Sequence, residues 1–266
     1  MLWIALVLGV VEGLTEFLPI SSTGHLILAG HLMGFEGKRA EVFEIFIQLG
    51  AILAVVWEYR ATLFSVASGL ASRKESRRFT FNVAWAFFPS ALLGLALHRF
   101  VSDHLFRPTV VAAALIVGAV AIFAVEGLPL RVRTSDALQT TRGQAILVGL
   151  AQCLALWPGF SRSAATILGA LLVGLDRRAA TEFSFFLAIP TLLAATTYDL
   201  VVHHSWLLPG DALWLGLAFV VSFLVALVAI RWILRFVAHH SFRPFAWYRV
   251  ALGVAVLLVE IWRSRS

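Results

Sequence analysis

Two carboxylates four residues apart are the first sign of chemistry in this chain. Glu12 and Glu16 lie in the run Glu12-Gly-Leu-Thr-Glu16-Phe-Leu-Pro-Ile-Ser21-Ser22-Thr23-Gly24-His25. On a helix that spacing places both on one face, where two anions repel unless a cation or a proton lies between them. Carboxylate oxygens suit hard divalent ions, so the pair reads as a site for Mg²⁺ or Ca²⁺ that also meets phosphate. The bland alternative is a pair at a helix end facing water. Pro19 ends or kinks the helix, and Ser21, Ser22 and Thr23 fall where a second helix would start. Hydroxyls there cap a helix, and a capped N-terminus with free amides is also an anion site. His25 follows Ser22 by three residues, within reach on the same face. It can take a proton from the serine or attack phosphorus itself.

A second cluster reads Trp157-Pro158-Gly159-Phe160-Ser161-Arg162-Ser163-Ala-Ala-Thr166. Arg162 stands in an otherwise apolar region. A structural arginine would need a carboxylate partner, which this segment lacks. Flanked by the hydroxyls of Ser161, Ser163 and Thr166, it reads instead as a phosphate clamp, because guanidinium makes paired hydrogen bonds to phosphate oxygens. Carboxylates for a metal, a cation for phosphate, and a serine or histidine to attack are the parts that phosphoryl transfer requires.

The elements that must position these residues are membrane helices. Of 266 residues, 60% are hydrophobic and 14% charged, where a soluble domain carries about 25% charged residues. Uncharged runs such as Thr80–Leu97, Thr109–Val125 and Ala212–Ile230 are long enough to cross a bilayer. The net charge of +6 follows from basic loops between apolar spans, so nucleic acid is not an expected partner. The single Cys153 excludes an intramolecular disulfide. The N-terminal apolar run lacks a basic flank and a small-residue cleavage site, and it reads as retained rather than as a signal peptide.

An internal repeat organises the spans. Phe106-Arg107-Pro108 matches Phe242-Arg243-Pro244, Glu44 matches Glu182, and Pro19 with its hydroxyl cluster matches Pro158 with a second one, at offsets of 136, 138 and 139 residues. Each half reads as a pair of short pieces broken by Pro, Gly and Ser, followed by three longer spans. The expected broken pairs lie within 1–33 and 144–175. The expected spans are 43–58, 81–99 and 108–126, then 182–200, 212–234 and 246–262.

The expected fold is therefore an all-α integral membrane protein with an inverted-topology repeat, each half a re-entrant helix pair plus three transmembrane helices. The whole chain, 1–266, forms one membrane domain, with repeats at 1–136 and 137–266. An odd number of spans per half places the two broken pairs on opposite faces. Alternation puts 13 Lys and Arg residues on one side and six (Lys38, Arg39, Arg99, Arg107, Arg263 and Arg265) on the other. The richer side is then cytoplasmic and both termini lie outside.

At the two clusters the chain strongly resembles the undecaprenyl-pyrophosphate phosphatase family associated with bacitracin resistance. The resemblance rests on Glu12 through His25 and on Pro158 through Thr166, and extends to Phe43-Glu44 through Ile47-Gln48-Leu49-Gly50, Glu182-Phe-Ser-Phe and Trp247-Tyr248-Arg249. It implies a hydrolase of the bacterial inner (plasma) membrane. Such an enzyme removes the terminal phosphate of undecaprenyl pyrophosphate, recycles the lipid carrier for cell-wall synthesis, and confers bacitracin resistance. It implies Glu12 and Glu16 at a divalent metal, Ser22 or His25 at the chemistry, and Arg162 on phosphate. Ser21, Thr23, Gln48, Ser161, Ser163 and Thr166 would line a substrate site facing the periplasm. The implied partners are the polyprenyl pyrophosphate lipid and the bilayer, with room for a homodimer.

The rival reading is a carrier that flips a polyprenyl phosphate lipid, since broken helices in inverted repeats are common in transporters. Inverted halves make one topological demand: segments 59–80 and 127–143 share a face, with both termini on the other. Single cysteines in each, in a Cys153→Ala background, should resist an impermeant thiol reagent in intact cells. Labelling of segment 59–80 from outside would remove the inverted arrangement.

Overall fold

In a computed structural model describing residues 1–203 and 209–263, the chain is all-α. Six helices are long and apolar enough to cross a membrane: α3 (Lys38–Glu58), α5 (Lys74–His104), α6 (Pro108–Glu126), α9 (Arg177–His203), α10 (Ala212–Val237) and α11 (Arg243–Arg263). They coincide with the six expected spans and extend most of them by a turn or more. The two broken pairs are also present, as α1 (Leu2–Thr15) with α2 (Ser22–Leu32), and α7 (Arg142–Gln152) with α8 (Arg162–Leu172). A further short helix, α4 (Arg60–Ser68), occupies part of what the sequence suggests is a loop. Of the basic residues counted for topology, Arg265 and the Arg263 side chain lie outside the described residues.

Local sequence explains where these helices begin and end. α6 starts on Pro108, whose missing amide costs nothing in a first turn. α7 carries a reciprocal cap in which Thr141 and Gln144 satisfy each other's backbone amides. Large apolar side chains such as Leu92, Val228 and Leu258 face outward, as they do where hydrocarbon is the solvent. Polar residues turn inward: Gln152 donates to Ser90 at 2.5 Å and to Thr191 at 3.3 Å, joining α7, α5 and α9.

The first helix of each broken pair is packed against the opposite half. α1 lies along α10, and α7 lies along α5. In both cases a glycine lets backbones touch: a Cβ on Gly9 would come within 2.7 Å of the Ala218 carbonyl oxygen, and one on Gly149 within 2.3 Å of that of Ala86. Small residues permit this approach where helices associate by packing alone. Ion pairs then link helix ends: Arg39 with Asp211, Arg231 with Glu58 at 2.8 Å, and Arg177 with Glu126 at 2.6 Å.

One arginine is wholly internal. Arg249 of α11 has no exposed surface. It donates to the carbonyls of Pro19 (3.0 Å), Gly159 (3.1 Å), Leu115 (3.1 Å) and Ala114 (3.2 Å). The first two belong to the turns that break the helices.

The Gly149 contact yields a test of the packing. Gly149→Ala should lower stability by about 1–3 kcal/mol through overpacking, even though alanine favours helix. Gly143→Ala, on the same helix with nothing within 4 Å of the added carbon, should not. Equal thermal midpoints in detergent for the two variants would mean that the α5–α7 contact is looser than the distance implies.

Candidate active site

The two sequence clusters meet. Glu16 sits at the C-terminal end of α1, the chain doubles back through Pro19, and Ser21 caps α2. On the other side Ser161 caps α8, and Arg162 is its first residue. The caps have the same unusual backbone: Ser21 at φ 73° and Ser161 at φ 78°, the only non-glycine residues with positive φ among the described residues. Each hydroxyl accepts from the amide three residues on, Gly24 at 3.4 Å and Ala164 at 3.2 Å. The first amides of both helices have no acceptor within their own helix, so two positive N-termini are presented.

Glu16 joins the clusters. Its Oε1 accepts from Arg162 Nη2 at 3.0 Å, and its Oε2 accepts from Ser22 Oγ at 2.5 Å. Both side chains of the ion pair are nearly buried, at 9% and 5% exposure, so the attraction is little screened. The carboxylate that the second cluster lacks is thus supplied by the first. Arg162 Nη1 is fixed by the Ser184 carbonyl at 3.1 Å and hydroxyl at 3.2 Å. Its Nε is buried with no partner.

His25 is placed differently from the spacing argument. Its Nδ1 lies 2.7 Å from the Ser21 carbonyl, and its Nε2 lies 2.6 Å from the Tyr248 hydroxyl, with the two rings stacked. A carbonyl only accepts, so Nδ1 carries the proton; in the neutral ring Nε2 then accepts from the phenol. The Ser22 hydroxyl is instead directed to Glu16, because the turn at Pro19 returns the chain beside its own preceding helix.

The hydroxyls of the second cluster fasten the site. Ser163 donates to the Leu18 carbonyl at 2.8 Å, tying α8 to the first turn, and lies 3.0 Å from Ser161 Oγ. Thr166 donates to the Arg162 carbonyl at 2.9 Å and lies 2.6 Å from Ser184 Oγ. These bonds give Ser163 and Thr166 framework partners. Thr23 is half-buried in the first turn of α2, and Gln48 is half-buried on α3. Tyr248 and Arg249 escaped the sequence reading as site residues. Their one signal was the Trp247-Tyr248-Arg249 triplet.

Glu12 has the chemistry of a metal ligand. It is fully buried, and neither carboxylate oxygen has a hydrogen-bond partner. A buried carboxylate in that state needs a cation or a proton. Among the described residues no group of three or more His, Cys, Asp or Glu side chains is assembled for a metal. A donor set of one or two carboxylates suits Mg²⁺, which is commonly completed by water and substrate phosphate.

Comparison with known proteins places the chain in a family. A family model described as bacitracin resistance protein BacA matches residues 5–255. The chain is 51% identical over 258 residues to undecaprenyl-diphosphatase 3 of Acinetobacter baylyi, covering 97% of both chains. It is 52% identical over 258 residues to an undecaprenyl-diphosphatase of Methylobacillus flagellatus, covering 95% of this chain and 96% of that one. A third relative, an undecaprenyl-diphosphatase of Ectopseudomonas mendocina, is 51% identical over 253 residues, covering 95% and 92%. The family match takes in most of α1, with Glu16 at its end against Arg162, and most of α11, which clamps the turns: the chain belongs to the bacitracin resistance protein BacA family.

Proposed function

We propose that this chain is an undecaprenyl-diphosphatase, hydrolysing undecaprenyl pyrophosphate to undecaprenyl phosphate and inorganic phosphate. The carrying observation is the chain of contacts Ser22–Glu16–Arg162, at 2.5 and 3.0 Å, between two helix N-termini. It sets a hydroxyl, a base and a cation together beside free amides. A phosphate bound there would meet the α2 and α8 N-termini and the unpartnered Nε of Arg162.

In this reading Ser22 attacks the terminal phosphorus, and its proton passes to Glu16. The bond to the bridging oxygen breaks, and the lipid monophosphate leaves with that electron pair. Water then cleaves the phosphoserine, releasing phosphate and restoring the hydroxyl. Arg162 neutralises charge that builds on the transferred group. His25, hydrogen-bonded to the Ser21 carbonyl and to Tyr248, is the other group of the first cluster able to carry a proton. Glu12, with Glu16 beside it, would hold Mg²⁺ or Ca²⁺, which when bound supplies further charge neutralisation at phosphate.

The protein is multi-pass, and we place it in the bacterial plasma membrane with the site opening to the periplasmic side. Support for inverted halves comes from the reciprocal packing of α1 on α10 and α7 on α5, and from the matched caps at Ser21 and Ser161. The ion pairs Arg39–Asp211, Arg231–Glu58 and Arg177–Glu126 also join ends that alternation assigns to one face.

Purified protein given a polyprenyl pyrophosphate and Mg²⁺ should release phosphate. Excess chelator should abolish release, and Mg²⁺ or Ca²⁺ should restore it; undiminished turnover in chelator would take the metal out of the mechanism. No release under any of these conditions would leave lipid transport as the better reading.

Arg162→Ala should lower kcat/KM on the order of 10³-fold, and Arg162→Lys should rescue poorly, lacking the planar fork. Quenching turnover in denaturant at neutral pH should trap a phosphoenzyme that survives later acid treatment, a phosphoserine at Ser22. An acid-labile phosphohistidine at His25 would instead assign attack to the imidazole.

A further inference from the structure

We propose that Arg249 is a positioning residue for the phosphatase site, holding the two breaks at the separation where Ser22, Glu16 and Arg162 meet. The proposal rests on the phosphatase reading above. Its basis is a buried cation whose four hydrogen bonds all go to main-chain carbonyls. A guanidinium without exposure in a membrane-spanning helix is costly, and it persists only where each of its nitrogens finds an acceptor. Here Nη1 takes the Pro19 carbonyl, Nη2 takes those of Gly159 and Ala114, and Nε takes that of Leu115.

The choice of acceptors is informative. Pro19 stands three residues before Ser22, and Gly159 stands three residues before Arg162. One planar group therefore fixes both turns at equivalent points upstream of both working side chains. The other two acceptors lie on α6, so the turns are fixed relative to a spanning helix rather than only to each other. The adjacent residue, Tyr248, addresses the same region through His25.

α6 is shaped for this group. A Cβ on Gly118 would lie 1.9 Å from Arg249 Nη2 and 2.7 Å from Cζ. The absent side chain at 118 is the slot in which the fork sits. The ring of Phe160 lies beneath, with its centroid 5.9 Å from Cζ, in range for a cation–π contact. Lysine cannot replace this arrangement, because one ammonium on a flexible stem cannot span two turns and a helix in a fixed plane.

Gly118 permits a test that leaves Arg249 in the chain. Gly118→Ala adds a helix-favouring methyl and displaces the fork. It should lower kcat for phosphate release roughly 10²-fold, the scale expected when reacting groups shift by about 1 Å. Gly216→Ala on α10, with nothing within 4 Å of the added carbon, is the control and should retain activity.

Arg249→Lys should show the same loss, and Gly118→Ala should add little to it. In an Arg162→Lys background, Gly118→Ala should cost less than about twofold more, because the group it misplaces is already impaired. A purely structural role would repeat its full factor there and would lower the thermal midpoint in proportion. Either that additivity or wild-type kcat in Gly118→Ala and Arg249→Lys would overturn the positioning role. If the wild-type protein released no phosphate, the phosphatase reading would fail and this role with it.

Discussion

A carboxylate and a guanidinium that are both nearly out of solvent must be paired, and Glu16 and Arg162 meet that demand across the two halves of the chain. Each residue comes from an interrupted helix, and neither interruption is stable alone at membrane depth, where unpaired backbone costs several kcal/mol per group. The pair joins the ends, and Ser163 adds a bond from α8 to the first turn. One carbonyl of each turn, Pro19 and Gly159, is taken by Arg249. What results is a small polar region in which the Nε of Arg162 and the carboxylate of Glu12 are buried without hydrogen-bond partners.

The caps at Ser21 and Ser161 share a backbone conformation, but their surroundings differ in charge. Counting back nine residues from each cap, Glu12 stands opposite Gln152, a neutral amide whose donors are satisfied by Ser90 and Thr191. The position matching Ser22 is Arg162. The two matched caps thus present a hydroxyl and carboxylates on one side and a guanidinium on the other. Complementary chemistry is the reason such halves would face each other: like copies would bring two carboxylate pairs, or two arginines, into one low-dielectric space.

Hydropathy made the six spans legible, because a bilayer imposes length and apolarity on every crossing, and the Pro, Gly and Ser interruptions made the two broken pairs legible. α4 was hidden, since a nine-residue helix among basic residues has neither the length nor the uniform apolarity of a span. Within the site, residue types revealed Glu12, Glu16, Ser22 and Arg162, but pairings were less accessible. The spacing of Ser22 and His25 suggested a couple, whereas the reversal at Pro19 gives the serine to Glu16 and leaves the histidine to Tyr248, 223 residues away. Arg249 was opaque for a different reason. Its partners are backbone carbonyls, which every residue has and no sequence pattern announces, and the slot that receives it is the missing side chain of Gly118.

The left-handed serines carry a consequence for engineering. A residue with a Cβ at positive φ costs roughly 1–2 kcal/mol relative to glycine, and Ser21 and Ser161 both accept that cost beside the working side chains. Glycine at either position would relax the backbone but remove the hydroxyl that caps the helix and steadies its free amides. Selection for heat resistance alone would therefore be drawn towards these two positions, and thermostable variants obtained there would trade away turnover. Stabilising changes for this fold belong on the lipid-facing surfaces of α5, α10 and α11, away from the place where stability has been conceded to function.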